Sequence, residues 1–222
     1  MGSPAASAKP IAARGRPGGR TAFQEEKRRQ NRAAILAAAA DTFSATPYVY
    51  ATIDDIIRAA GISRATFYVH FESKLALALA IYDGIAADWQ AVFDGLAAAS
   101  AEGAVGLRTW LAALAALYVD HGYVTSLVAQ LETFEPSFRQ RLRRDRDELI
   151  DRLGAAGVGG FVAAREDGEA AVRQRARAHL LLRRLDQICG DVSRPETLGA
   201  AEGEVYAGLA VEELESFLAE RA

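Results

Sequence analysis

Within the segment Thr52–Lys74, TIDDIIRAAGISRATFYVHFESK, the polar residues are of types that read nucleic acid. Arg64 can direct two parallel N–H bonds to guanine O6 and N7, a contact worth about 1–3 kcal/mol of discrimination. Thr66 offers both a hydroxyl and a methyl, Val69 suits a thymine methyl, and Ser63, Tyr68 and His70 add hydrogen-bonding groups. These groups can act together only if the chain that carries them is held in a regular, exposed element.

The sequence supplies that element and a second one before it. Thr52 is placed to cap a helix whose first turn holds Asp54 and Asp55, where carboxylates suit the exposed backbone N–H groups. Ile53, Ile56 and Ile57 give this helix an apolar stripe, and Ala60-Gly61 ends it at a residue that tolerates positive φ. Ser63 caps the next helix, in which Phe67 and Phe71 recur four apart behind Ile62 and are assigned to a small core. Two short helices around one glycine, the second polar on its free face, predict a helix-turn-helix of the DNA-reading kind.

The run Gly61-Ile62-Ser63-Arg64-Ala65-Thr66-Phe67-Tyr68-Val69-His70-Phe71-Glu72-Ser73-Lys74, preceded by Thr52-Ile53-Asp54-Asp55-Ile56, resembles the DNA-binding domain of the TetR (tetracycline-repressor) family of bacterial regulators. The resemblance spans roughly residues 27 to 95. It implies that Tyr68, His70 and Lys74 hold DNA phosphates, together with the Thr52 hydroxyl and the backbone N–H groups at that helix start. One departure is visible: Pro47-Tyr48 stands where members usually have Gly-Tyr. Proline ends a helix as glycine does, but it cannot supply a positive-φ cap.

Composition sets the surroundings. The 222 residues are rich in Ala, Leu and Arg, with six prolines, so an all-α fold is expected. The net charge of −3 conceals an asymmetry. Residues 1 to 74 carry eleven Lys and Arg against six Asp and Glu, and the remainder carries fifteen against twenty-three. A basic head on an acidic body fits a nucleic-acid reader joined to something that does not touch nucleic acid. No apolar run is expected to cross a membrane, because charges interrupt each candidate. The polar, arginine-bearing start and the single cysteine, Cys189, point to the cytoplasm, with Cys189 a small buried hydrophobe.

Three regions are expected: a disordered basic arm over 1–22, the helix-turn-helix domain over 23–72, and a helical body over 73–222. In the arm, Arg14-Gly15-Arg16-Pro17 resembles a minor-groove hook, and generic phosphate attraction would explain it equally. A first helix is expected from about Glu25 to Ser44, with Lys27, Arg28, Arg29 and Arg32 crowding an end that disfavours cations and therefore answering to an external anion. Six further helices should follow the reading pair, covering about 73–96, 106–120, 123–134, 136–153, 169–189 and 200–218. That makes nine helices, with a glycine-rich break over Gly154–Gly160.

For the body, the resemblance implies an apolar effector cavity and a dimer. Trp89, Phe93, Trp110, Leu114, Tyr118, His121, Tyr123, Phe134 and Phe138 are the candidate lining, Tyr118 and His121 its polar anchors. By residue type alone such aromatics are as well explained as ordinary core. Leu181, Leu185, Ile188, Tyr206, Leu214 and Phe217 are the candidate dimer surface. The three histidines lie apart without a second ligand at i+4, and Gly157-x-Gly159-Gly160 follows no strand, so neither a metal, a cofactor nor an enzyme is expected. The expected partners are double-stranded DNA, a small apolar ligand and a second copy of the chain. The reading that follows is a repressor released from a palindrome by that ligand. A body without a cavity would instead favour a ligand-independent DNA-binding protein, nucleoid-associated or division-linked.

Overall fold

The computed structural model describes residues 18–194, 196 and 198–220. Twelve helices occur among them: α1 (Gly18–Ala45), α2 (Ile53–Ala60), α3 (Arg64–His70), α4 (Lys74–Gly84), α5 (Ala86–Asp94), α6 (Leu96–Ala101), α7 (Gly103–Asp120), α8 (Gly122–Phe134), α9 (Pro136–Ala155), α10 (Gly159–Ala163), α11 (Glu169–Val192) and α12 (Ala200–Ala219). The fold is all-α, as the composition implies. Twelve replace nine for local reasons. The long helix expected over 73–96 breaks twice, where the Ile85 and Gly95 amides bond the carbonyls of Tyr82 and Val92 in tight three-residue turns. Gly84 and Gly95, poor helix formers, stand at those breaks. The glycine-rich break contains the third addition, α10.

That short helix explains its glycines. Gly157 has φ 78° and Gly159 φ 30°, both in the left-handed region. A Cβ on Gly159 would collide with the backbone of Leu218, and one on Gly160 with the carbonyl of Phe217. The run therefore lets α10 press against the end of α12.

Two hydrophobic cores form. The first gathers Ile35, Ala39 and Phe43 of α1, Tyr48, Ile56, Phe67, Phe71 and α4 residues Leu77, Ala78 and Ile81, and is completed by Val124, Leu127 and Leu131 of α8 with Phe138 and Leu142 of α9. The second fills the body between α5–α7, the end of α9 and α10–α12. Trp89 packs against both. The boundary expected at 72/73 divides the sequence, whereas the packing of the head continues through α4 into α8 and α9. At His121, α7 turns through 84° into α8, which carries the chain back to the head.

One expectation about membranes is corrected. Lys74–Ala101 is long and apolar enough to cross a bilayer by length and composition, with mean hydropathy 1.2. Only 17% of its most apolar 18-residue window is buried, and its outward face mixes alanines with Asp83, Asp88, Gln90 and Asp94. Its carboxylates are engaged by the body: Asp83 with Arg141, Asp88 with His121 and Asp94 with Arg152.

Five of the six residues chosen for the dimer surface turn inward, and the sixth, Tyr206, stands on the outer face of α12. Leu181, Leu185, Ile188, Leu214 and Phe217 are buried in the second core of their own chain, Leu185 at 2% exposure. Their spacing of three and four marks an inward stripe facing α7 and α10. The outward faces carry Leu180 on α11 and Val205, Tyr206 and Leu209 on α12, exposed among arginines and glutamates. Leu185→Glu should consequently unfold the body instead of separating subunits, since it buries an unpaired charge. Leu185→Ala should cost about 2–5 kcal/mol. Urea unfolding followed by circular dichroism measures both, and a Leu185→Glu chain with native stability would move that side chain out of the core.

Candidate nucleic-acid interface

Each element of the reading pair is fixed by its own caps. Thr52 accepts the Asp55 amide at 3.2 Å, while the Asp55 carboxylate accepts the Thr52 amide at 3.1 Å and its hydroxyl at 2.5 Å, a closed capping box. Gly61, at φ 63°, ends α2 as the sequence predicts. Ser63 Oγ accepts the Thr66 amide at 3.1 Å and meets the Thr66 hydroxyl at 2.8 Å. Phe67 is fully buried and packs against Phe71 at 6.1 Å between ring centres. With that side anchored, Ser63, Arg64, Tyr68 and Val69 are left exposed on the other, and Thr66 and His70 half-buried.

Several predicted contacts have internal partners. The Arg64 guanidinium bonds Asp54 Oδ1 of α2 at 2.9 Å. The Thr52 hydroxyl and amide, expected on phosphate, both turn to Asp55. Lys74, expected on phosphate too, donates to the carbonyls of Tyr48 at 2.7 Å and Ala51 at 2.9 Å, with its Nζ 4.3 Å from the Tyr48 ring centre. Burial lowers its pKa, partly opposed by Glu135. Lys74 thus ties the start of α4 to the turn before α2. The departure at Pro47 is accommodated here without positive φ: the amides of Tyr50 and Ala51 both bond the Pro47 carbonyl.

Other cations come forward. Arg28 and Arg32 of α1 stand close enough to His70 that, after burial, they lower its pKa. Arg32 also lies over the Phe71 ring at 4.5 Å. Residues 22–34 of α1 are almost all exposed, so this basic stretch projects from the core beside the end of α3. The helix begins at Gly18, seven residues before the expected start, and Arg14 and Arg16 lie outside the described residues. Tyr50, 75% exposed in the turn next to Thr52, is a contact candidate that sequence reasoning missed. Its only signal was an aromatic in a proline-led turn, without periodic apolar neighbours.

The family model for "Bacterial regulatory proteins, tetR family" matches residues 35–81, from the first buried residue of α1 to the last core residue of α4. That match covers the head of the chain and not its body. The crystal structure of a TetR family transcription regulator from Marinobacter aquaeolei VT8 is similar, with TM-score 0.55 and 17% identity, over 89% of this chain and 100% of that one. At that identity the likeness speaks for the fold of the body. A search of curated proteins finds no match.

In the body the predicted cavity residues are divided. Phe93, Trp110, Leu114 and Tyr118 belong to the second core, Tyr123 and Phe138 pack in the first, and Phe134 is 57% exposed on the surface. The aromatics are packed on one another: Phe93 on Trp110 at 5.5 Å, Trp89 on Tyr118 at 5.3 Å and on His121 at 5.8 Å. Three of their polar groups have partners. Trp110 Nε1 donates to the Val92 carbonyl at 2.8 Å, Tyr118 donates to Asp186 at 2.6 Å, and His121 Nε2 meets Asp88 at 3.0 Å. Burial and then Asp186 push the Tyr118 phenol well above its ordinary pKa. Burial likewise raises the Cys189 thiol to about 12. Two shallow clefts lie on the surface: one beside Asp151, Arg165 and Arg175, and one between α11 and α12 lined by Arg184, Ile188, Tyr206, Leu209 and Glu213.

Lys74→Met should lower stability by about 1–3 kcal/mol, through the loss of two bonds from a charged donor. It should leave the salt dependence of DNA binding unchanged. Thermal unfolding alongside DNA titration at several salt concentrations separates these effects. A shallower salt slope at unchanged stability would return Lys74 to the phosphates.

Proposed function

We propose that the chain is a homodimeric, sequence-specific repressor acting in the cytoplasm on a palindromic operator. The observation that carries this is the free side of α3, where Arg64, Tyr68 and Val69 stand exposed while Phe67 anchors the other side. A helix held in this way enters a major groove with its first residues on base edges. Arg64 takes a guanine, Ser63, Thr66 and Val69 complete the base-reading edge, and Tyr68, His70, Arg28 and Arg32 hold phosphates. The exposed apolar patch around Leu180, Val205, Tyr206 and Leu209 supports pairing of two chains through α11 and α12. Two-fold symmetry would then set the recognition helices about one DNA turn, roughly 34–36 Å, apart. If Arg14 and Arg16 enter the minor groove, they add contacts on the flanks.

Release by a small apolar ligand fits the position of Trp89, whose side chain touches the core of the head and that of the body. A molecule wedged beside α5 would shift the head through this contact. The coupling needed is about 1–3 kcal/mol. A second reading, a ligand-independent regulator of nucleoid-associated or division-linked type, is favoured by the tight packing of the same aromatics and the three partnered polar groups among them.

Selection of random duplexes by the purified protein should enrich a palindrome. Arg64→Ala should erase the preference at one symmetric position, about a 5- to 150-fold loss of discrimination. An unenriched library would refute sequence-specific reading. Leu180→Glu combined with Leu209→Glu alters only exposed residues, so the chain should stay folded, sediment as a monomer and fall towards non-specific affinity, at least about 1000-fold weaker. A double variant that remains dimeric would place the interface elsewhere. For the effector, a thermal-shift screen of uncharged apolar compounds should find molecules that raise the melting temperature and release the selected palindrome together. If none does, the ligand-independent reading is to be preferred.

A further inference from the structure

A carboxylate on a DNA-facing surface opposes the phosphates it must approach, and α2 begins with two. Asp55 has a local task, since it closes the capping box with Thr52 and pairs with Arg58 at 3.2 Å. Asp54 has none of this kind. Its carboxylate reaches out of α2 to the Arg64 guanidinium, ten residues later on α3, at 2.9 Å, with both side chains more than 60% exposed. Placed in the first turn it also suits the helix dipole, but Asp55 already supplies a carboxylate there.

We propose that Asp54 is a specificity-determining residue of the DNA-reading face. One oxygen holds Arg64 Nη2, which restricts a long side chain that would otherwise sample many rotamers and bond any phosphate in reach. The remaining Arg64 N–H groups stay available, a donor fork that matches guanine O6 and N7. The second Asp54 oxygen is free to accept the N4 amino group of a cytosine in the same groove. The Asp54 charge beside the capping box would also repel phosphates from the start of α2. It therefore lowers affinity for every sequence and raises the preference for one. Exposed ion pairs of this sort add little to folding, so the effect belongs to recognition and not to stability.

The inference rests on the DNA-reading proposal above, and the test separates the two. Wild type, Asp54→Ala and Asp54→Asn are each used to select from a random duplex library. Each is then titrated against the wild-type palindrome and a scrambled duplex at fixed salt, with melting temperatures recorded. Asp54→Ala should bind the scrambled duplex several-fold more tightly, lose the preference at the Arg64 position and lower the ratio of palindrome to scrambled affinity by about fivefold or more. Asp54→Asn keeps an acceptor for Arg64 without the charge, so it should bind all duplexes more tightly and retain the preference. Melting temperatures should stay near that of wild type. An Asp54→Ala chain with the wild-type motif and ratio would overturn the role of Asp54 alone. A wild type that enriches no motif would overturn the reading of DNA by α3 and this inference with it.

Discussion

The head of this protein is too small to bury a sufficient core of its own, and much of the architecture follows from that. A unit of about fifty residues leaves a large share of its apolar surface exposed unless something covers it. Here the cover is α4 together with α8 and the first half of α9, which bring Leu77, Ile81, Leu127, Leu131 and Phe138 onto Ile35, Phe43 and Phe67. The body is thereby a component of the reading head as well as its carrier. Polar contacts follow the same path. Tyr48, in the turn before α2, donates to Glu135 between α8 and α9 at 2.9 Å, and Tyr82 of α4 donates to Asp145 of α9 at 2.9 Å. Any shift of the α8–α9 corner must reach the α1–α2 turn directly as well as through α4.

Electrostatics on the reading face are a balance and not a simple excess of positive charge. Asp54 and Asp55 offset Arg64 and Arg58 at the start of α2, while Arg28, Arg32 and His70 form a cluster at the other end of the pair. Burial and the neighbouring arginines favour the neutral form of His70 in the free protein. Positive charge thus gathers at one end of the pair, and paired carboxylates stand at the other.

The body is held by partly buried charges as much as by packing. Arg146 bonds Asp186 at 2.9 Å and lies 3.8 Å from Glu132, and Asp186 accepts from Tyr118, so α7, α8, α9 and α11 meet in one network. Asp147 similarly joins Arg175 and His179, both at 2.9 Å. Pairs of this kind, partly open to solvent, stabilise little when complete, and removing one partner leaves the other less well satisfied. They oppose any opening that separates these helices. A ligand entering among the aromatics must compensate for the contacts it breaks, which is why the filled packing weighs on the functional reading.

The helix-turn-helix was legible because its determinants are local. Thr52, Gly61 and Ser63 act on the backbone within three or four residues, and Phe67 and Phe71 declare their buried side by spacing alone. Helix count, the two breaks near Gly84 and Gly95 and the span of α10 depended on weak propensities and on whether glycine was needed for close approach, which only the packing of α12 revealed. The stripe of Leu181, Leu185 and Leu214 showed from sequence that one face is apolar. It could not show whether that face meets its own chain or another, because burial is a property of what lies opposite. The same limit governed Arg64, Thr52 and Lys74. Their types announce hydrogen bonding to an anion or an acceptor, and the sequence by itself determined that much. Which acceptor each one meets, Asp54, Asp55 or the carbonyls of Tyr48 and Ala51, was decided by the tertiary structure, since these groups are brought within bonding distance only when the helices are packed.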